Sequence, residues 1–304
     1  LGNGVDPMDV IDQYGLDSLR FFLTTNSTPG QDLRFSNDKM ESSWNFINKI
    51  WNASRFVLMN LDDAMELSDI DFTHASMIDK WIINRFNQVL ESVSANMDKY
   101  EFALVGNELY SFVWDDFCSW YIELSKAGLS SEDKQVANAT KSTLAVILNG
   151  IVRLLHPFMP FVCEELYLSL PHEEESINLA KWPTKIDVTI DESEAEGVSQ
   201  LITMIEAVRE IKTTYQLKPS TELQVIICDA ADRMLACDAK INAILQRMCH
   251  ATWINQLPHE EMVVRAIRGG SLKVALASVI DVEAEIAKLS KEVTRLQQEI
   301  KRSE

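Results

Sequence analysis

The stretch Met40-Glu41-Ser42-Ser43-Trp44-Asn45-Phe46-Ile47-Asn48-Lys49-Ile50-Trp51-Asn52-Ala53-Ser54-Arg55-Phe56-Val57-Leu58 decides the fold class. Its large side chains recur every three or four residues, which is the period of an amphipathic helix. The predicted inward stripe consists of Met40, Trp44, Ile47, Trp51, Ser54 and Leu58, widened by Phe46, Ile50, Ala53, Val57 and Leu61. The opposite face carries Glu41, Asn45, Asn48, Asn52 and Arg55. We therefore expect a largely buried helix with one polar side.

Further helices of the same kind fill residues 37–171. The second is marked by Ile78, Ile82, Phe86, Val89 and Val93. The third spans about Glu101 to Lys126 and is dense in aromatic residues, most of which we expect in the core. The fourth ends at His156, because Pro157 disfavours helix in the residue before it, and a short fifth helix follows Pro160. Five amphipathic helices with short connections predict a helical bundle.

Shorter segments flank this bundle. Residues 1–36 form a connecting segment, in which Asp6 before Pro7 predicts the start of a helix. Residues 172–197 are interpreted as an acidic linker. Residues 198–280 predict a small α+β domain, with helices over Val198–Gln216 and Ala230–Met248. Its predicted strands are Leu223–Cys228, Thr252–Leu257, Met262–Ile267 and Ser271–Val279, with a hairpin turn at Gly269-Gly270. The whole chain is thus expected to be mainly α.

The last segment, residues 281–304, has its apolar residues at steps of four and three, the seam of a coiled coil. These residues are Val282, Ile286, Leu289, Val293, Leu296 and Ile300. Only about three heptads are present, so we expect a truncated coiled-coil arm. The chain begins with Leu rather than Met and stops inside the repeat, which suggests a fragment. Its unpaired seam is expected to fray or to self-associate.

Composition narrows the functional classes. The 304 residues are 46% hydrophobic, and no apolar run is long enough to cross a membrane. The five cysteines show no Cys-x-x-Cys pair and the five histidines lie far apart, so no metal site is predicted and the thiols are expected to be reduced in the cytoplasm. A net charge of −18 argues against DNA as a partner, although a local basic face remains possible. No glycine-rich phosphate loop or nucleophile elbow occurs, so no catalytic residue is predicted.

Several blocks of sequence carry a resemblance. Leu1-Gly2-Asn3-Gly4-Val5-Asp6-Pro7 resembles the sequence that follows the Lys-Met-Ser-Lys-Ser signature of class I aminoacyl-tRNA synthetases. Asn48-Lys49-Ile50-Trp51-Asn52-Ala53-Ser54-Arg55-Phe56, the Trp114–Glu123 run and His156-Pro157-Phe158-Met159-Pro160-Phe161 resemble signatures of the Val/Ile/Leu subgroup. The Gly-Val-Asp-Pro continuation and the start of the coiled coil favour the bacterial valyl family. The order of the blocks makes the resemblance specific to the C-terminal part of that family.

The resemblance implies a parent enzyme that attaches valine to its tRNA with ATP and Mg²⁺. The catalytic and editing domains would lie outside this chain, so the chain alone is expected to be inactive and to need no cofactor. The bundle resembles an anticodon-binding domain, and the later segments resemble an arm that touches the tRNA body. The implied partner is valine tRNA, and the parent is expected to be monomeric.

The candidate tRNA contacts combine the resemblance with residue chemistry, because Asn can read base edges and cations can bind phosphate. They are Asn45, Asn48, Lys49, Asn52 and Arg55 on the first bundle helix, Arg209 and Lys212 in the α+β domain, and Lys288, Lys291 and Arg295 on the arm. Other interpretations stay open at this point. The Asn stripe can be an ordinary solvated face, the family can be the isoleucyl or leucyl relative, and the chain can be a helical scaffold that recruits a partner.

Overall fold

The structure is a computed structural model that describes residues 4–27, 30, 32–62, 65–256, 262–276, 279, 290, 293, 296 and 297. The chain divides into two compact units, whose boundary in the sequence lies between Ala195 and Glu196. We call residues 1–195 unit 1 and residues 196–304 unit 2. The predicted coiled coil lies almost entirely outside the described residues, and so do its three candidate contacts, Lys288, Lys291 and Arg295.

Unit 1 is built from helices. They are α1 (Pro7–Tyr14), α2 (Leu16–Thr25), α3 (Asn37–Asn60), α4 (Met77–Met97), α5 (Phe102–Ser111), α6 (Ile122–Leu129), α7 (Lys134–Leu155) and α8 (Pro160–Leu168), and α9 (Glu192–Thr214) begins in its last residues. The expected start of α1 is confirmed, since the Asp6 carboxylate accepts a hydrogen bond from the Met8 amide at 2.9 Å and Pro7 opens the helix. The predicted end of the fourth bundle helix is confirmed as well, because α7 ends at Leu155 just before His156.

The third predicted helix differs from the expectation of one regular α-helix. Between α5 and α6, Phe112–Tyr121 is a π-helix, in which backbone bonds span five residues. The amide of Ile122 donates to the carbonyl of Phe117, and the Ser119 hydroxyl donates to the Trp114 carbonyl at 2.7 Å. The wider turn keeps Phe112, Val113, Phe117, Cys118 and Tyr121 buried together, as the aromatic core interpretation requires.

A buried carboxylate joins three helical segments of unit 1. Asp79 is fully buried in the first turn of α4, where Ser76 and Asp79 form a capping box. Its two oxygens accept hydrogen bonds from the hydroxyl groups of Tyr121 at 2.7 Å, Ser76 at 2.7 Å and Thr140 at 3.0 Å. Burial and the neighbouring Asp79 raise the pKa of Tyr121 well above its usual value, so this phenol stays a donor.

The acidic segment after α8 packs on the bundle, which differs from a freely exposed linker. Asn87 of α4 pairs with the backbone of Ile186 through two hydrogen bonds of 2.9 Å. The Trp182 indole donates to Ser94 at 2.9 Å, and Ile177 is 4% exposed. Hydrogen bonds to α4 therefore hold this acidic stretch on the surface of the bundle.

Unit 2 confirms a small α+β arrangement. Its strands are β1 (Leu223–Asp229), β2 (Ala251–Trp253), β3 (Met262–Ile267) and β4 (Gly270–Ala275), and its helices are the rest of α9 and α10 (Ala239–Cys249). The sheet order is β2-β1-β4-β3, with β1 and β2 parallel and the other pairs antiparallel. The predicted hairpin turn is confirmed, since Gly269 between β3 and β4 has a φ of 77°.

Two helix starts in this region differ from the prediction. The helix expected from Ala230 begins at Ala239, because Asp229 and Asp238 are better capping residues than helix formers: the Asp229 carboxylate accepts from the amides of Ala231 and Arg233, both at 2.9 Å. The helix expected from Val198 begins at Glu192, where Asp191 accepts from the Ser193 amide at 2.8 Å. The strand expected over Thr252–Leu257 is shorter than predicted, since β2 covers Ala251–Trp253. The strand expected over Ser271–Val279 ends at Ala275.

Candidate functional site

The exposed side of α3 differs from the predicted one in its aromatic content. Trp44 and Trp51 are 43% and 41% exposed, although the predicted stripe placed both of them inward. The buried line consists of Met40, Ser43, Phe46, Ile50, Ala53, Ser54 and Val57. Each residue turns the helix by roughly 100°, so Trp44 and Trp51, one position after Ser43 and Ile50, lie off that line. The prediction was wrong for these two residues because the stripe was drawn through Trp44 and left out its small buried neighbour Ser43.

The exposed tryptophans share their side of α3 with the predicted candidate residues. Asn45, Asn52 and Arg55 are exposed and Asn48 is half-buried. Positions 44, 48, 51, 52 and 55 recur at steps of three and four, so they form one continuous strip. We call Trp44, Asn45, Asn48, Trp51, Asn52 and Arg55 the α3 face. The structure thus brings four predicted contacts together and adds two rings that the sequence interpretation had assigned to the core.

Lys49 lies at the edge of this face and contacts a second aromatic group. Its ammonium is 5.1 Å from the centre of the Trp114 ring, which is a cation–π distance. Trp114 stacks on Tyr110 with 5.5 Å between ring centres and 9° between ring planes. Burial, followed by the charge of Asp115, raises the pKa of Tyr110, so this pair remains uncharged. Lys49 is therefore a half-buried cation whose ammonium faces an aromatic ring of the π-helix.

The charges beside this cluster are mostly compensated. Arg85 of α4 forms an ion pair with Asp116 at 3.0 Å. Burial raises the pKa of Asp116, while Arg85 acts to lower it. Lys126 pairs with Glu123 at 2.8 Å and lies 5.7 Å from the centre of the Phe56 ring. The α3 face itself combines two exposed rings and three amides with one exposed cation, Arg55.

The two candidate contacts in unit 2 have different fates. Arg209 is exposed, and its guanidinium donates to the carbonyl of Met248 at 3.2 Å. Lys212 is only 5% exposed, and its ammonium donates to the carbonyls of Pro219, Thr221 and Cys249 at 2.8, 2.5 and 2.7 Å. An ammonium group has three protons to donate, so these bonds use all of them. The prediction that Lys212 contacts phosphate is wrong, because the side chain is enclosed by backbone.

Metal ligands do not cluster in the part of the chain that the structure describes. No group of three or more His, Cys, Asp or Glu residues there could hold a metal ion. None of the helices in the same residues is both long and apolar enough to span a membrane. All five cysteines are free thiols.

Known proteins are similar to this chain over nearly its full length. The family model described as the anticodon-binding domain of tRNA ligase matches residues 79–227. Valine–tRNA ligases of Bacillus cereus and Bacillus subtilis are 48% and 43% identical to it, over 96% and 99% of this chain. They are matched over 34% and 35% of their own lengths, so the chain spans about a third of the length of the curated relatives it matches.

Among solved structures, the crystal structure of a ternary complex of Agrobacterium radiobacter LeuRS with tRNA and LeuAMS has a TM-score of 0.45 and 16% identity. The match covers 81% of this chain and 26% of that chain, and the likeness is too weak to inform the site. The α3 face precedes the residues matched by the family model but belongs to the same unit as most of them. From its sequence similarity, the chain belongs to the valine–tRNA ligase family and contains its anticodon-binding domain.

Proposed function

We propose that this chain binds the anticodon region of valine tRNA through the α3 face, on behalf of a parent enzyme that attaches valine to that tRNA. The observation that carries the proposal is the presence of two exposed tryptophans among Asn and Arg side chains on one helix face. Such a face suits single-stranded RNA, because unstacked bases can stack on rings and present their edges to amides. The valine–tRNA ligase relatives support the choice of tRNA.

Each residue type of the face has a distinct chemical role in this proposal. Trp44 and Trp51 offer flat surfaces on which splayed bases stack. Asn45, Asn48 and Asn52 each present a donor and an acceptor, the combination that base edges require. Arg55 offers a fork of donors to a phosphate or a base edge, and Lys49 acts as a point charge toward the backbone. Specificity would therefore come from the amides, and most of the affinity from the rings.

The chemical step belongs to the parent enzyme in this proposal. ATP and Mg²⁺ would bind in the part of the relatives that this chain does not cover, since the sequence has no glycine-rich phosphate loop. We assign no step of valine activation to residues of this chain. The proposal includes a cytoplasmic location and a monomeric parent, with self-association of this chain through the heptads of residues 281–304.

The test is a filter-binding titration of the chain against valine tRNA and a non-cognate tRNA at two salt concentrations. We expect tighter binding of valine tRNA and a steep loss of affinity at the higher salt, because phosphate contacts release counterions. A parallel assay of valine-dependent ATP–pyrophosphate exchange should give no activity. Equal affinity for valine tRNA and an unrelated DNA duplex would overturn the proposed function.

A further inference from the structure

A small cavity lies in unit 1 between α7, α8 and the acidic segment that follows α8, and we call it the Arg153 cavity. Its volume is about 100 Å³, roughly three times the 30 Å³ that a water molecule occupies in the liquid. Four charged side chains line it, which are Arg153, Lys181, Glu173 and Glu174. None of the lining residues belongs to the α3 face or to the predicted tRNA contacts. The cavity is therefore a site that the proposed function leaves unused.

Arg153 brings a partly buried positive charge to the cavity, with most of its hydrogen-bond capacity unused. A guanidinium has five N–H donors. In the described part of the chain, its Nη1 donates to the Lys181 carbonyl at 3.2 Å, and its buried Nε atom has no partner. Burial lowers the pKa of Arg153, and Tyr167 and Glu173 act to raise it, but an arginine keeps its charge at neutral pH. The cavity thus offers donors to an incoming oxyanion, because a partly buried cation gains from an acceptor.

Glu173 and Glu174 add negative charge to the same cavity without forming contacts that neutralise its cations. Among the described residues, neither carboxylate forms an ion pair with Arg153 or with Lys181. The Glu173 charge still acts on Arg153, since it raises the pKa of the guanidinium. A simple anion would be repelled by the two carboxylates, and a simple cation by the two cationic side chains. A molecule that carries one charge of each sign therefore suits the cavity better than either.

Hydrogen bonds to the backbone fix the walls of the cavity. The side chain of Asn149 in α7 donates to the Pro171 carbonyl at 3.0 Å. The Nδ1 atom of His172 donates to the Leu170 carbonyl at 2.7 Å. The rings of Tyr167 and His172 pack with 5.2 Å between their centres. A site built in this way needs little ordering when a ligand enters, which favours binding.

A larger open cavity of about 660 Å³ adjoins the Arg153 cavity, and the two share Leu67 and Pro171 in their linings. Its apolar lining includes side chains from the end of α3 and from the segment after α8, namely Leu58, Leu61 and Leu170. Its two acidic residues are already engaged, since Asp62 pairs with Lys141 at 2.7 Å and Glu66 is part of a capping box. A ligand held in the Arg153 cavity therefore has room for an apolar group beside Leu67 and Pro171.

We propose that the Arg153 cavity binds a free α-amino acid with an apolar side chain. The α-carboxylate of the ligand accepts hydrogen bonds from Arg153 and Lys181. Its α-ammonium donates to Glu173 or Glu174. Its side chain lies beside Leu67, toward the larger cavity. Binding requires no tRNA, so this site and the α3 face can be tested separately.

The experiment is a methyl NMR titration of the full chain with L-leucine and three analogues. Isocaproate lacks the ammonium, isoamylamine lacks the carboxylate, and glycine lacks the apolar side chain. The methyl signals of Leu67 and Leu170, which line the two cavities, report the place of binding. Leucine should bind at least about tenfold more tightly than isocaproate or isoamylamine, because each of them loses its charge-assisted hydrogen bonds to one side of the cavity. Glycine should bind more weakly than leucine.

Two variants test the two halves of the charged lining. Arg153→Gln should weaken leucine binding at least about tenfold, because the carboxylate loses its charged donor. Glu173→Gln with Glu174→Gln should weaken leucine and isoamylamine without weakening isocaproate. This second variant decides the question if a thermal melt shows that Arg153→Gln is unfolded. Arg233→Gln, at an exposed arginine of unit 2, is the matched control and should bind leucine as the parent chain does.

The absence of leucine-induced shifts at Leu67 and Leu170 would overturn the site. Equal affinities for leucine and isocaproate would overturn the assignment to an amino acid, and so would full leucine binding by the double glutamine variant. Each of these results leaves the proposed tRNA binding intact, because tRNA affinity is measured in a separate titration.

Discussion

The α3 face and a group of basic residues in unit 2 are two exposed polar surfaces with opposite compositions. We call this group, which consists of Arg209, Lys218, Arg247 and His250, the unit 2 basic patch. The first has two tryptophans and three asparagines with one exposed arginine, and the second has three cations and a histidine without a tryptophan or asparagine. Amides can distinguish base edges, whereas rings stack on any base and cations recognise only the repeating phosphate. The comparison teaches that the α3 face of unit 1 combines groups suited to discrimination with groups suited to affinity in the proposed complex, whereas the unit 2 surface offers only charge.

The surfaces also differ in what supports them. The α3 face stands on an apolar core that includes Phe46 and Ile50. The basic patch stands on Lys212, a buried charge that is satisfied by three backbone carbonyls. A substitution in the first surface should therefore act mainly on binding. A substitution beneath the second should act mainly on the folding of unit 2.

The largest expected effect comes from removing both rings of the α3 face. Trp44→Ala with Trp51→Ala should weaken valine tRNA binding at least about 30-fold, because each base stacked on an aromatic ring contributes about 1–3 kcal/mol. Filter binding at constant salt measures this effect. Trp182→Ala, which removes another exposed tryptophan of unit 1, is the matched control. An equal and small loss in both variants would show that the α3 face does not stack bases.

The next effect concerns the support of the basic patch. Lys212→Met should lower the free energy of unfolding of unit 2 by about 3 kcal/mol, because three carbonyls lose a charged donor and the one of Cys249 is buried. Denaturant titration measures the loss, and Lys218→Met, at an exposed lysine in the loop that follows α9, is the control. A change below about 0.5 kcal/mol, typical of surface substitutions, would show that the carbonyls find other partners.

A smaller effect should separate discrimination from affinity. Asn48→Ala with Asn52→Ala should reduce valine tRNA binding by about tenfold and non-cognate binding by less, since amide contacts to base edges contribute about 1–3 kcal/mol of discrimination. The net charge is unchanged, so the salt slope should stay the same. Asn107→Ala with Asn138→Ala, at exposed asparagines of α5 and α7, serves as the control. Parallel losses for both tRNAs would assign Asn48 and Asn52 to general affinity.

The smallest predicted effect is a pH dependence confined to unit 1. Burial lowers the pKa of His156 below its usual 6.5, and its Nε2 atom is buried without a hydrogen-bond partner. The unfolded chain then binds more protons in this range, so stability is present above about pH 6.5 and is lost as the pH falls toward the folded pKa. The slope from this group is at most about 1.4 kcal/mol per pH unit.

The check is denaturant unfolding between pH 7 and pH 5, followed for the parent chain and for His156→Gln. The variant should show a flatter dependence below pH 6.5, and Asp17 and Arg20, which face the imidazole, remain in both proteins. Identical slopes would mean that another group controls the acid response of unit 1.

The sequence predicts those features that depend on neighbours along the chain. The cap at Asp6, the stop before Pro157 and the turn at Gly269 each need only a few adjacent residues, and the structure has all three. The mainly α fold class is confirmed for the same reason, since helix periodicity is a local signal. Among the candidate contacts, four lie together on α3 because helical spacing places them on one face.

The features that were missed depend on residues distant in the sequence. The carbonyls around Lys212 belong to positions 219, 221 and 249, and no local pattern could indicate their convergence. The exposure of Trp44 and Trp51 depends on where the neighbouring helices pack. The spacing of these tryptophans alone does not show whether they lie on the buried or the exposed side of the helix. The π-helix of Phe112–Tyr121 was also missed, because the apolar pattern of this stretch does not distinguish its wider turn from that of an α-helix.

The distribution of tryptophans gives this protein its own optical probes. Trp44 and Trp51 are partly in water on the α3 face, so a stacked base should quench their fluorescence as it binds. Trp81 and Trp253 are 3% and 6% exposed in unit 1 and unit 2, and each should shift its emission to longer wavelength only when its own unit unfolds. Single-tryptophan variants would therefore report occupancy of the α3 face and unfolding of either unit as separate signals, without any attached dye.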